Sequence, residues 1–243
     1  GDIEFEAVYS LVPTGYTEVA YIQSSGSQYL ALNNTMRVGD RMYSKYKHIV
    51  NVSNENKVGG CAVNNAHGVF SFGRYQIGTH RASYLSDQTD NRNWSPDVYI
   101  DFNTAICEES WTLNTSYVFT GQLVLDGTET HTVATQVHDG WTTDGALMYL
   151  FKENSQFAFP SAVNMYRYTQ WRGNNLLMDL IPAVRDSDEK PGMYDVVNDV
   201  FYTNAGTGEF GYSLSNTMSL RPDVEPIDGE MEEEINDEIL DTE

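Results

Sequence analysis

Side chains with oxygen ligands are concentrated between residues 86 and 97 of this chain. The candidates there are Asp87, Asp90, Asn91 and Asp97, with Asn93 among them. Carboxylate and amide oxygens are the ligands that hard cations such as Ca²⁺ prefer. The polar residues and Pro96 predict a long loop over residues 86–96. We therefore predict a solvated loop, with Ca²⁺ as the candidate cofactor in the alternative that these residues bind a metal.

Four tryptophans are the side chains best suited to stack on a sugar ring, namely Trp94, Trp111, Trp141 and Trp171. Trp94 and Trp141 lie in polar, turn-rich runs, and binding residues often lie on loops. Asn93, next to Trp94, adds an amide that both donates and accepts hydrogen bonds. These five residues form the predicted ligand-binding set. For each tryptophan the alternative is packing in the core, and Trp111 and Trp171 fit a core or a sheet face equally well.

Carboxylates at a spacing typical of catalysis are not evident. Glycoside hydrolysis needs two carboxyl groups about 5 to 10 Å apart. Asp126 and Glu129 flank a predicted turn, and Asp97 and Asp101 share one face of a predicted strand. The chain has no His-Glu-x-x-His, Gly-x-Ser-x-Gly, phosphate-loop or Cys-x-x-Cys motif. We predict that the protein is not an enzyme. A glycoside hydrolase with carboxylates from separate strands is the least favoured alternative.

The elements that would position these residues are β-strands. Apolar and polar residues alternate in about ten short runs, which is typical of half-buried strands. The strongest example is the pair of runs 117–125 and 128–133, joined by Asp126-Gly127. An Asp-Gly pair between two such runs predicts a tight hairpin, because both of its residues tolerate positive φ. No convincing helix is predicted before residue 223. The pattern therefore predicts an all-β fold with two packed antiparallel sheets.

The charge of the chain is strongly negative, −21 in 243 residues. Of its 35 acidic residues, 11 lie between residues 223 and 243, which leaves 24 acids against all 14 Lys and Arg. We predict an acidic tail over residues 221–243, and either an edge strand or the end of a preceding module over residues 1–10. Because the acidic tail and the rest of the chain are both net negative and repel phosphate, we exclude nucleic acid as a partner.

Two cysteines, Cys61 and Cys107, are too few for a disulfide scaffold. Their spacing leaves open whether they form one bridge or are two buried thiols. No run of 18 apolar residues is present, so we predict no insertion into a membrane.

Two stretches carry a family likeness: residues 12–29 (VPTGYTEVAYIQSSGSQY) and residues 191–210 (PGMYDVVNDVFYTNAGTGEF). They resemble the opening and closing segments of laminin-G-like, concanavalin A-like domains of gut-bacterial surface proteins and phage virion or fibre proteins. Residues 148–151 and 178–185 look like the late strands of that family. The resemblance implies a two-sheet jelly roll over residues 11–220, located on a bacterial cell surface or in a virion.

The resemblance also implies a function, since members of this family are often glycan-binding or adhesive modules. We therefore expect a recognition module whose partner is a glycan or another cell-surface ligand. The alternative is a purely structural decoration or fibre module that contacts other virion or surface proteins. Fold alone does not decide between these two functions.

Overall fold

The computed structural model describes residues 10–49, 56–62, 69–76, 79–86, 91–98, 105–136, 143, 145–154 and 159–214. For strand residues 56, 69, 74–76, 79–86, 91–98, 133, 135–136 and 159–160, only the backbone is described. The predicted edge strand or preceding module in residues 1–9 and the predicted acidic tail lie outside the described residues.

The described residues form strands and connecting turns, with no helix among them. The first ten strands are β1 (Tyr16–Glu18), β2 (Tyr21–Gln23), β3 (Leu30–Ala31), β4 (Asp40–His48), β5 (Asn56–Lys57), β6 (Gly59–Ala62), β7 (Val69–Gln76), β8 (Thr79–Ser86), β9 (Asn91–Val98) and β10 (Cys107–Leu113). The others are β11 (Val118–Leu125), β12 (Glu129–Gln136), β13 (Tyr149–Leu150), β14 (Glu153–Asn154), β15 (Phe159–Pro160), β16 (Val163–Arg172), β17 (Asn175–Arg185), β18 (Lys190–Asp195), β19 (Val200–Thr203) and β20 (Gly211–Ser213).

These strands form two sheets in which nearly all neighbours are antiparallel. The larger sheet has the order β12-β11-β10-β4-β16-β17-β18-β19, with β1 paired to β17 and β2 paired to β16 and β20. The smaller sheet has the order β15-β5-β7-β6-β13-β3, with β8, β9 and β14 attached. Only the short β14–β6 and β15–β5 pairs are parallel. The protein is therefore an all-β sandwich, as the alternation predicted.

The core lies between the two sheets. Rings from the smaller sheet meet rings from the larger one: Phe70 lies 5.6 Å from Phe119, and Phe72 lies 6.2 Å from Tyr168. Each of these rings is fully buried. Their burial is the main stabilising contribution, since removing apolar surface from water contributes roughly 25 cal/mol per Å².

The hairpin predicted at Asp126-Gly127 is confirmed. Asp126 has φ of 48° and Gly127 has φ of 73°, and the Thr128 amide donates to the Leu125 carbonyl at 3.1 Å. Positive φ at both central residues matches the right-handed twist of the two flanking strands, β11 and β12. Because the turn sets the register, it also decides which side chains of the hairpin share a face.

The two stretches that carry the family likeness lie side by side. Asn204 closes the turn after β19, where its Oδ1 accepts from the Gly206 amide at 2.8 Å and from the Tyr29 amide at 3.1 Å. The Ala205 amide donates to the Tyr29 carbonyl at 2.9 Å. The opening and closing segments are thus joined by backbone and amide hydrogen bonds, and these residues have a structural role here.

One of the predicted elements is corrected. The loop predicted over residues 86–96 is wrong, because Asn91–Val98 forms strand β9 and pairs with β8. β1 and β2 are separate short strands and pair with different neighbours, β17 and β16. The polar residues of β9 are as typical of a loop as of a strand, and its pairing with β8 is what defines the strand.

Candidate functional site

Within the described part of the chain, the outer face of the larger sheet is covered at one end. Near β17 and β18, Ile181 and Tyr194 form a small apolar cluster with Val12, and Leu11 and Tyr16 pack against it. The segment before β1 therefore covers this end of the sheet. The outward side chains of β12, β11, β10, β4 and β16 have no such cover among the described residues, and we refer to them as the open face.

Register between neighbouring strands orders the open face into three rows. Listed from β12 through β11, β10 and β4 to β16, the rows are Ala134, Thr120, Thr112, Arg41 and Trp171; Thr132, Gln122, Ser110, Tyr43 and Thr169; and Thr130, Val124, Glu108, Lys45 and Arg167. Side chains opposite each other on one face are close enough to contact a common ligand. One end of the open face is thus rich in hydroxyl groups, and the other carries rings and charges.

A shallow depression of about 370 Å³ lies at the hydroxyl-rich end, over β10, β11 and β12. The side chains around it are Ser110, Thr112, Thr120, Gln122, Thr132 and Ala134. Hydroxyl groups both donate and accept hydrogen bonds, and the Gln122 amide has two donors and an acceptor. The lining can therefore form hydrogen bonds with a polyhydroxylated ligand, but it carries no charge of its own.

Trp171 and Arg41 form the next part of the first row. The Arg41 guanidinium carbon lies 4.7 Å from the centre of the Trp171 ring, within the range of a cation–π interaction. The ring is half-buried, whereas Arg41 is exposed. Because the two residues are register partners on β4 and β16, the sheet itself determines this contact.

Glu108 links β10 to β4 in the third row. It accepts from the Tyr43 hydroxyl at 2.8 Å and lies 3.1 Å from the Lys45 ammonium group. Burial, followed by the hydrogen bond to Glu108, raises the pKa of Tyr43 well above its usual value. Tyr43 is therefore a neutral hydrogen-bond donor at any physiological pH.

Arg167 and Asp179 form a second ion pair at the border of the open face. The contacts are bidentate, from Arg167 Nε to Oδ1 at 2.9 Å and from Nη2 to Oδ2 at 2.7 Å. Thr169 donates to Oδ1 at 3.2 Å. The bidentate geometry holds Arg167 against β17 at the border of the open face.

A buried carboxyl group lies on the inner side of β10. Glu109 accepts from the Tyr46 hydroxyl at 2.5 Å, the Trp111 indole at 2.8 Å and the Gly73 amide at 3.4 Å. Burial without a cation raises the pKa of Glu109 to about 8. Since Glu109 is fully enclosed, it acts in the core and is not accessible to a ligand.

The structure separates the predicted ligand-binding residues. Trp171 lies on the open face, whereas Trp111 is buried in the core, with its ring stacked 4.7 Å from Phe119. Trp94 and Asn93 belong to strand β9, whose side chains are not described, and Trp141 lies outside the described residues.

The predicted Ca²⁺ ligands also lie largely beyond what the structure describes. Asn91 and Asp97 are in β9 with only their backbone described, and Asp87 and Asp90 are outside the described residues. Among the side chains that are described, no group of three His, Cys, Asp or Glu is arranged to hold a metal ion. The Ca²⁺ site stays a prediction.

Most residues of the open face were not singled out from the sequence. β4 and β10 were not predicted, although each alternates: Arg41, Tyr43 and Lys45 face outward while Met42 and Tyr46 are buried. The alternation in β4 was obscured because its buried positions also include the polar residues Asp40, Ser44 and His48. The usable signal was the recurrence of long cationic side chains, Arg41, Lys45 and Lys47, at alternate positions of β4.

Comparison with models of known protein families gave no match, and neither did comparison with curated proteins. Within the described part of the chain, no helix has the length and apolar character needed to cross a membrane. The class that the geometry defines is an all-β sandwich with a polar, partly aromatic open face on its larger sheet.

Proposed function

We propose that this protein is a non-enzymatic recognition module that binds a glycan on its open face. The observation that carries the proposal is the continuity of the first row. There, the hydroxyl groups of Thr120 and Thr112 lead directly to Arg41 and Trp171. Sugars present hydroxyl groups at their edges and apolar C–H groups on their faces. A row of hydroxyl groups ending at an aromatic ring matches both.

The separation of the carboxylates supports a function in binding rather than hydrolysis. Glu108 on β10 and Asp179 on β17 are the carboxylates on or beside the open face in the described residues. Their strands are three positions apart in the sheet, which corresponds to about 14 Å at the usual spacing. This exceeds the roughly 5 to 10 Å over which two carboxyl groups cooperate in glycoside hydrolysis. Both groups are also held in ion pairs.

The finer fold assignment is part of the same proposal. We infer a concanavalin A-like, laminin-G-like jelly roll located on a bacterial cell surface or in a phage virion. The contact between the segments around Tyr29 and Asn204 supports it, because the two stretches that resemble the family's opening and closing segments are neighbours here. Placement of such a module on a surface would leave the open face available to a ligand.

A structural module that contacts other proteins is the second candidate. It is favoured by apolar side chains on and after β20, where Leu214 is 71% exposed and Tyr212 is 43% exposed. Exposed apolar groups of this size mark contact sites when they are contiguous. These residues lie on and after β20, away from the open face.

A glycan array tests the proposal with the wild-type chain, Trp171→Ala and Thr120→Val. Tyr212→Ala is the matched control, since it removes an exposed aromatic ring outside the open face. We expect the two open-face variants to weaken binding by about tenfold, or about 1.4 kcal/mol, and the control to leave it unchanged. Circular dichroism checks that each variant is folded.

Absence of binding to every glycan would overturn the proposal. So would binding that both open-face variants leave intact. If absence of binding is accompanied by self-association that Tyr212→Ala abolishes, the structural candidate is supported instead.

A further inference from the structure

The open face carries a local excess of positive charge in an otherwise acidic protein. The outward positions of β4 include Arg41, Lys45 and Lys47, and β16 adds Arg167. Against these four cations stand Glu108 and Asp179, whereas the whole chain has a formal charge of −21. Four of the 14 Lys and Arg residues of the chain thus lie on this one face.

Two of the four cations are already neutralised by carboxylates. Lys45 lies 3.1 Å from Glu108, and Arg167 lies 2.7 Å from Asp179. Arg41 is different. Its contact within the described residues is the ring of Trp171, and no ion pair joins it to them. An exposed guanidinium on a ring keeps its planar set of donors available to a ligand.

Arg41 also has a defined position relative to the depression. It is the register partner of Thr112 on one side and of Trp171 on the other. Thr120 is two strands away, or about 10 Å at the usual spacing. A ligand that reaches both Thr120 and Arg41 is therefore longer than one sugar ring.

We propose that the glycan bound on the open face carries a carboxylate, as a uronic acid does, and that Arg41 binds this group. The proposal rests on the proposed glycan-binding function and specifies the class of ligand. In it, the carboxylate accepts two parallel hydrogen bonds from the guanidinium beside Trp171, while a neighbouring sugar contacts Thr112 and Thr120. Planar carboxylates and the arginine fork match in geometry, which a lysine cannot reproduce.

An array that pairs each acidic oligosaccharide with its carboxyl-reduced counterpart tests the proposal. The best pair is then titrated by calorimetry into wild type, Arg41→Gln and Arg41→Lys. Lys47→Gln is the matched control. Lys47 is a cation on the same face of the same strand, but six residues from Arg41, or about 20 Å, which exceeds the screening length of about 8 Å at physiological ionic strength.

We expect the acidic member to bind at least about tenfold more tightly than the reduced one. Arg41→Gln should abolish this difference, Arg41→Lys should retain only part of it, and Lys47→Gln should retain all of it. Binding of the neutral member should be unchanged in Lys47→Gln.

Three outcomes overturn the proposal in distinguishable ways. If the acidic and reduced members bind equally and Trp171→Ala still weakens both, the protein does not recognise the carboxylate, and the glycan-binding function stands. If the preference for the acidic member survives in Arg41→Gln, Arg41 is not the residue that binds the carboxylate. If no glycan binds and Arg41→Gln instead changes the sedimentation of the protein, the open face pairs two copies of the chain, and both proposals fail.

Discussion

The ring of Trp111 lies in the space that a β-carbon on Gly121 would occupy. The two residues are register partners on β10 and β11, and both face the core. Phe119 covers the same ring from 4.7 Å in a nearly parallel stack, at an interplanar angle of 11°. Glycine at this position is therefore required by packing and not by backbone conformation.

We accordingly expect Gly121→Ala to destabilise the fold by about 1 to 3 kcal/mol, because the added methyl group displaces the indole. Urea unfolding followed by tryptophan fluorescence measures the loss. Gly211→Ala is the control, since its added carbon would meet mainly the flexible end of Gln23. Equal stability of Gly121→Ala and wild type would show that the indole does not occupy this space.

The pH dependence of stability should reflect Glu109 and His48. Burial raises the pKa of Glu109 from 4.5 to about 8, so the folded state holds a proton that the unfolded state has lost. This contribution is fully present below pH 4.5 and is lost as pH rises to about 8. Burial lowers the pKa of His48 from 6.5 to about 4, so its contribution has the opposite sign and grows between those values.

The two slopes oppose each other below pH 6.5, and only that of Glu109 continues above it. We therefore expect the free energy of unfolding to fall between pH 6.5 and pH 8, by an amount on the order of 1 kcal/mol per pH unit. Urea titrations across this range measure the slope. Glu109→Gln should remove the fall and leave the rise due to His48. A fall that persists in Glu109→Gln would assign it to another group.

The ion pair between Arg167 and Asp179 should stabilise the border of the open face. Both side chains are largely buried, at 14% and 4% exposure. Asp179→Asn leaves the guanidinium without a counter-charge, and we expect a loss of about 3 to 5 kcal/mol in unfolding free energy. Asp188→Asn breaks the exposed pair with Arg185 and should change little. Similar effects of the two substitutions would contradict the burial of the first pair.

Cys61 and Cys107 are free, buried thiols, which decides the question that their spacing left open. Burial raises the pKa of Cys61 to about 11 and that of Cys107 further, so neither forms the reactive thiolate at neutral pH. We expect no reaction with a thiol reagent in buffer and two equivalents in denaturant. Rapid labelling of the folded protein would show that the core opens around one of them.

The hairpin at Asp126-Gly127 could be predicted because its information is local: two residues with positive φ lie between two alternating runs. The same reasoning did not find β4 or β10. Their inward positions include Asp40, Ser44 and Glu109, polar side chains with hydrogen-bond partners on other strands. Asp40, for example, accepts from Arg172 and Gln170, which are more than 100 positions away.

What the sequence determined by itself is the class of structure, since a period of two is compatible with strands and not with helices. It did not determine whether Trp171 and Trp111 face the core or the solvent. Alternation shows which residues share a face but not which face is inside. The tertiary structure decided that Trp111 packs in the core and that Trp171 stands beside Arg41. The reason is physical: a face is defined by the strands paired beside it and the layer packed on it, and both come from distant parts of the chain.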